Sequence, residues 1–245
     1  MTKSSFRPMI CLLALAFMLP AAQSFAQNRP AIAEQIAKTY GLDGWGQIDA
    51  VRYTWNGSIP GLFSVSHSWE WEPKTGKVTY EGKDKDGKPV KVSFVLSQVA
   101  SEPANVRDEI EPSFVNDQYW ALFPLHVYWD TSATVTDDGM KKLPIGKGEA
   151  QHVVVKYPTE AGGYTPGDTW ELYLGKDGRV EQLLYRRGGT KKPSIVTATW
   201  TANKKAGPLL FSTEHRGTAD GKPLHISLTN VAVKLAGSDK WIPAQ

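Results

Sequence analysis

The sequence predicts a mainly β protein. It should form a large curled antiparallel sheet (a half-open β-barrel) of about ten strands, with an N-terminal helix and a mid-chain helix filling the concave side. Three observations carry this. Apolar and polar residues alternate with period two in run after run between residues 48 and 233. Short turn signals separate the runs: Pro73-Lys74-Thr75-Gly76, Lys85-Asp86-Gly87, Lys176-Asp177-Gly178 and Asp220-Gly221. One stretch, residues 116–130 (NDQYWALFPLHVYWD), breaks the alternation and is apolar over most of a helical circumference, as buried helices are. A sheet this wide does not stay flat, and the absence of a fixed repeat disfavours a propeller.

The chain opens on a segment read as lying outside the fold. Lys3 and Arg7 precede an apolar run over residues 9–19, and Ser24-Phe25-Ala26 offers small residues where a signal peptidase reads. Residues 1–26 are therefore read as a secretory signal peptide, and the run is shorter than a membrane span of about 20 residues. Residues 27–245 are read as a single curled antiparallel domain with a helical plug. Cys11 leaves with the signal, so the mature chain has no disulfide, thiol nucleophile or thiolate metal site. Lys3 and Arg7 leave too, so 26 basic residues face 25 acidic ones. That balance argues against nucleic acid, whose binding is largely phosphate neutralisation. All nine tryptophans remain; they read as core and sheet-face aromatics or as the lining of an apolar cavity.

Residues 30–40 form an amphipathic helix, with Pro30 at its start, Ile32, Ile36 and Tyr40 on one stripe and Gly41 as its stop. Val51, Tyr53 and Trp55 alternate with Arg52 and Thr54. Phe63, Val65, His67, Trp69 and Trp71 share one face of the next strand, and serines and Glu70 the other. Val78 and Tyr80, then Val90, Val92 and Phe94, complete a four-strand meander. Residues 97–112 lack a period and read as a loop, or a loop with a short helix. In the central helix only Asp117, Gln118 and Ala121 make a wet side, and Pro124 should stop it near Phe123. Strands resume weakly at 131–135, then at 151–157, 170–174, 180–187, 195–201, 209–215 and 224–233. The apolar phase slips near Asn230, which predicts a bulge there.

Chemistry is sparse. His67, His126, His152, His215 and His225 form no metal-ligand spacing. Glu214 and His215 are adjacent on a strand and point to opposite faces. His126 is the best polar group for a pocket; with Asp117 or Asp130 it makes a general-base pair, or these groups fix the helix by hydrogen bonds to backbone. There is no nucleophile elbow, phosphate loop or dinucleotide fingerprint. Basic doublets at Lys141-Lys142, Arg186-Arg187, Lys191-Lys192 and Lys204-Lys205 sit near strand ends, solvated or facing an acidic partner or anionic lipid headgroups.

A signal peptide, an amphipathic helix, a meander, a mid-chain helix and more meander, with no cysteine framework: this order resembles the lipoprotein-localisation factor (LolA/LolB-like) family. The resemblance implies an incomplete antiparallel barrel whose helices close an apolar cavity for acyl chains. Physically, a curled sheet must fill its concave face with helix or ligand. The inward-facing candidates are Tyr53, Trp55, Trp69, Trp71, Tyr80, Phe94 and Trp170 from strands, with Trp120, Phe123 and His126 from the helix. The expected function is a soluble periplasmic carrier or binding protein for an acyl chain, lipid or other apolar molecule. It is not expected to be an enzyme, to need a cofactor or metal, or to bind nucleic acid; a monomer is expected, with room for an envelope protein partner. The alternatives are an exported interaction module with a fully packed core, and a hydrolase using His126.

Overall fold

Alternation and turn chemistry dictate most of what the computed structural model contains. It describes residues 29–84, 86–160, 164–189 and 192–245. The segment read as a signal peptide, residues 1–26, lies outside them. Helix α1 (Ala31–Thr39) starts after Pro30 and buries Ala33, Ile36 and Ala37. Gly41 ends it at φ 102°, hard against the Pro208 carbonyl, where a side chain has no room. The meander follows as β1 (Ile48–Ile59), β2 (Phe63–Glu72), β3 (Lys77–Lys83) and β4 (Pro89–Val95).

Residues 97–112 are largely helical, not a loop. A 3-10 turn at Leu96–Ser101 and a π turn at Val106–Ile110 run into α2 (Glu111–Trp129). Nor does Pro124 end α2. It kinks it: Leu122 leaves helical geometry (φ −130°, ψ 16°) and the helix resumes to Trp129. Proline costs a helix a hydrogen bond and a clash with the carbonyl four residues back. Here that cost is offset by burial of Phe123, Leu125 and Val127 beyond the kink.

The second half comprises β5 (Thr134–Lys142), β6 (Glu149–Lys156), β7 (Thr169–Leu174), β8 (Val180–Arg186), β9 (Ile195–Thr199), β10 (Thr201–Ala206), β11 (Leu209–Ala219), β12 (Lys222–Leu235) and β13 (Trp241–Pro243). The described residues thus contain thirteen strands where about ten were expected. The expected strand 195–201 breaks at Trp200: β9 pairs with β8 and the far end of β11, β10 with the near end of β11.

All thirteen strands belong to one antiparallel sheet, ordered β4-β3-β2-β1-β12-β11-β9-β8-β7-β6-β5, with β10 and β13 on side branches. The edges β4 and β5 do not pair, so the sheet is not closed. The long strands β11 and β12 change partners along their length, which is how the sheet curls. Asn230 sits at φ 54° where the β1–β12 register slips, as the phase change predicts. Both helices and the buried faces of the strands form one hydrophobic core.

Candidate functional site

Helix α2 is tied to the sheet at both ends, and the ties define the space between them. Asp117 is almost fully buried and lies on the side of α2 that composition marks as wet; Gln118 and Ala121 are buried as well. That expectation fails because the carboxylate is satisfied inside. His67 Nδ1 lies 2.8 Å from its Oδ2, Trp69 Nε1 donates to the same oxygen at 2.9 Å, and Asn116 Nδ2 donates to Oδ1 at 3.0 Å. Burial raises the Asp117 pKa above its ordinary value, against the opposing hydrogen bonds from His67, Asn116 and Trp69.

The other end is held by Asp130 and Arg29. Asp130 accepts from Tyr119 Oη (2.7 Å) and Tyr157 Oη (2.6 Å), and His126 Nδ1 lies 3.1 Å away. Burial alone would raise its pKa; the hydrogen bond and charge of His126, then the two tyrosine hydroxyls, outweigh that and lower it. The Arg29 guanidinium donates to the carbonyls of Val127, Tyr128, Asp130 and Ala133 at 2.7–3.0 Å. A cation on the last carbonyls of a helix also favours the helix dipole. His126 Nε2 lies 2.9 Å from Gln118 Oε1, and Tyr119 stacks on the imidazole at 4.0 Å. Both ring nitrogens of His126 are thus engaged by side chains and not by backbone, and Asp117 pairs with His67 instead.

Between these ties the concave side is incompletely filled. An outer cleft of about 490 Å³ is walled by Trp55, Trp120, Val196, Leu224 and Ile226. The Trp55 indole lies across Gly57, where a side chain would strike it. Leu62 and Phe63, on the β1–β2 hairpin at the lip, are 59% and 41% exposed. An inner cleft of about 270 Å³ adjoins it, sharing Asn116, Trp120, Tyr185 and Arg187, and reaches Tyr119 and Trp170. Both volumes are of small-molecule size or slightly below.

The structure separates the ten residues expected to line a cavity. Trp55, Trp120 and Trp170 border the two clefts. Phe123 is fully buried beneath them, stacked on Trp170 at 4.0 Å. Tyr53, Trp69, Tyr80 and Phe94 are buried in the core; Trp69 meets Tyr80 at 4.7 Å and Phe114 at 5.4 Å. Trp71 is half-buried between Trp45 and Phe114. The alternation that put Phe63 and Val65 on a buried face holds only for the second half of β2, since α2 does not reach its start. Leu224, Ile226, Tyr185 and Arg187 line the clefts too, outside the set expected from alternation. The basic doublet carried a signal for Arg187: on a strand end, Arg186 turns outward to Glu171 (2.8 Å) and Arg187 turns to the cleft.

Among the described residues no group of three or more potential ligands is placed to hold a metal ion, and no helix is long and apolar enough to cross a membrane. No protein family matches the chain by sequence, and neither does any curated protein. Solved structures similar to this chain include the following three. A DUF1329 family protein from Desulfovibrio piger has 10% identity and a TM-score of 0.47, over 85% of this chain and 94% of that one. A LolA superfamily protein from Nitrosomonas europaea has 7% identity and a TM-score of 0.44, over 81% and 92%. The Mycobacterium tuberculosis lipoprotein LppX has 9% identity and a TM-score of 0.31, over 82% and 95%.

Proposed function

We propose that this chain is a non-enzymatic carrier or binding protein for an apolar molecule held between α2 and the β1–β12–β9–β8 wall. The observation that carries the reading is the outer cleft itself. It is a space of about 490 Å³ walled by aromatic and aliphatic side chains, with an apolar lip that stays exposed. Exposed large apolar side chains beside such a space mark a surface used in binding. Trp55 and Trp170 border the clefts. The same reading takes residues 1–26 as a cleaved export signal and places the mature chain in the periplasm, as a soluble monomer able to hand its ligand to an envelope protein.

A hydrolytic reading has less support. His126 spends both ring nitrogens on Asp130 and Gln118, and the serines nearest His67 are bonded to Asn56 and Thr54. A packed-core interaction module would not leave two adjoining clefts beside α2.

The test is native mass spectrometry of the protein isolated from its own cell envelope. A stoichiometric adduct in the lipid mass range is expected, lost in Leu224→Trp, which fills the outer cleft. A bare mass for the unaltered protein, with tryptophan fluorescence unmoved by fatty acid, would turn the reading to the packed interaction module.

A further inference from the structure

The carrier reading leaves open what terminates the apolar ligand, and the rim of the two clefts bears on that. Three exposed cations stand there: Arg187, Lys192 and Lys222. Among the described residues none of the three has a carboxylate within ion-pair distance. Arg187 is placed best, because it borders both clefts at their junction. Its backbone is fixed, the Arg187 amide donating to the Ser194 carbonyl at 2.9 Å.

Two carboxylates share this lining, and both are already committed. Asp168, buried in the inner cleft, accepts from Tyr185 Oη (2.9 Å) and the Gly188 amide (2.8 Å). Asp220 accepts from Ser194 Oγ (2.9 Å) and the Ile195 amide (2.7 Å). Their oxygens are turned into loop hydrogen bonds; the Arg187 guanidinium lies beside the Tyr185 hydroxyl and, with Lys192, near Asp220, and each cation keeps further N–H donors for a ligand oxygen. Cations without a carboxylate in ion-pair distance, beside an apolar wall, suit an oxygen-rich anionic end on an apolar chain. Guanidinium suits such an end better than an amine, since it meets a carboxylate or phosphate through two parallel hydrogen bonds.

The geometry points to a ligand with one apolar chain and an anionic head, the head held by Arg187 at the cleft junction with Lys192 and Lys222 around it. This rests on the carrier reading and narrows it to acidic amphiphiles, excluding neutral lipids of the same chain. The head is a carboxylate or a phosphate monoester; a free fatty acid supplies the first and lysophosphatidate the second.

The experiment titrates the delipidated protein with palmitate, methyl palmitate and palmitoyl lysophosphatidate, following tryptophan fluorescence, with circular dichroism as the fold control. Palmitate is expected to bind at least ten-fold tighter than its methyl ester. Arg187→Gln is expected to remove that preference and leave the ester unchanged; Lys192→Gln should lower it several-fold, and more at low salt than at high. If acid and ester bind equally to the unaltered protein, or if Arg187→Gln keeps the full preference, the anionic-head assignment is overturned and the carrier reading stands. If neither binds, the carrier reading falls with it. Lysophosphatidate tighter than palmitate assigns the head to phosphate, and the reverse order assigns it to a free carboxylate; either order supports the inference when Arg187→Gln abolishes it.

Discussion

Helix α2 faces two walls built from the same kind of residue, and they behave differently. Toward β2, β3 and β4 the aromatic side chains close on one another. Trp69 packs on Tyr80 and Phe114, and a buried carboxylate, Asp117, holds the helix to His67 and Trp69. Toward β1, β8, β9 and β12, among the described residues, no side chain of α2 hydrogen-bonds to those strands across the clefts, and Trp55 and Trp120 stand apart with open space between helix and strand. Aromatic content therefore does not decide between core and cavity. A polar anchor that draws helix to sheet makes core; its absence beside rigid indoles leaves a cleft. Phe123, stacked on Trp170, is the floor on which the two regimes meet.

The contrast can be broken by mutation, most severely at that floor. Phe123→Ala removes a fully buried ring and should cost about 3–5 kcal/mol in urea unfolding, since little around it can collapse into the gap. Acid should act next, and on the cleft side. His215 is fully buried under Trp200 and Trp120, and burial, the main cause, lowers its pKa from 6.5 to about 3. Between those values the unfolded chain binds a proton that the folded one does not. Stability should therefore fall as pH drops below 6.5, by about 1.4 kcal/mol per pH unit. In His215→Leu the urea midpoint should lose that slope.

The packed wall should respond with the opposite sign. Asp117 has a folded pKa raised above 3.8, so through that window the folded chain holds a proton the unfolded one has released. Its contribution falls as pH rises from 3.8 to the folded value and is recovered in acid. Asp117→Asn should flatten this part of the pH profile, at a cost of roughly 1–2 kcal/mol at neutral pH from the weakened His67 contact. The smallest effect belongs to the cleft lining. Leu224→Ala should cost about 1 kcal/mol, below the usual range of 2–5 for a buried leucine, because one side of Leu224 already lacks packing partners. A loss as large as at Phe123 would mean that the outer cleft is filled in solution.

Much of this architecture is legible from residues alone. Clean alternation in β1, β7 and β8 and turn dipeptides between them marks strands, since a half-buried sheet imposes period two. The slip at Asn230 is readable for the same reason: a bulge shifts the face of every residue after it. What escapes notice is short or unpatterned. The sequence of β10, Thr-Ala-Asn-Lys-Lys-Ala, is mostly exposed, and β13 has three residues. Pro124 is legible as a disturbance but not as a kink, because whether a helix resumes depends on what the following turn buries.

The site is less legible. Trp55, Trp120 and Trp170 are foreseeable as inward aromatics, yet nothing in their pattern separates them from Tyr53, Trp69, Tyr80 and Phe94, which are simply core. Asp117 reads as solvent-facing because a lone carboxylate in an apolar helix normally is. His67 and Trp69, about fifty residues earlier in the chain, join the neighbouring Asn116 in making its burial tolerable.

The sequence by itself determines the sheet, its antiparallel order of hairpins, the two helices and the near-neutral charge. These follow from local periodicity and turn chemistry, which each segment carries alone. Tertiary structure decides where helix and sheet meet and where they part, which tryptophans become walls, and that Arg187 turns to the cleft while Arg186 turns to Glu171. Those depend on distances between segments far apart in the chain, and on whether a buried polar group finds its partner there.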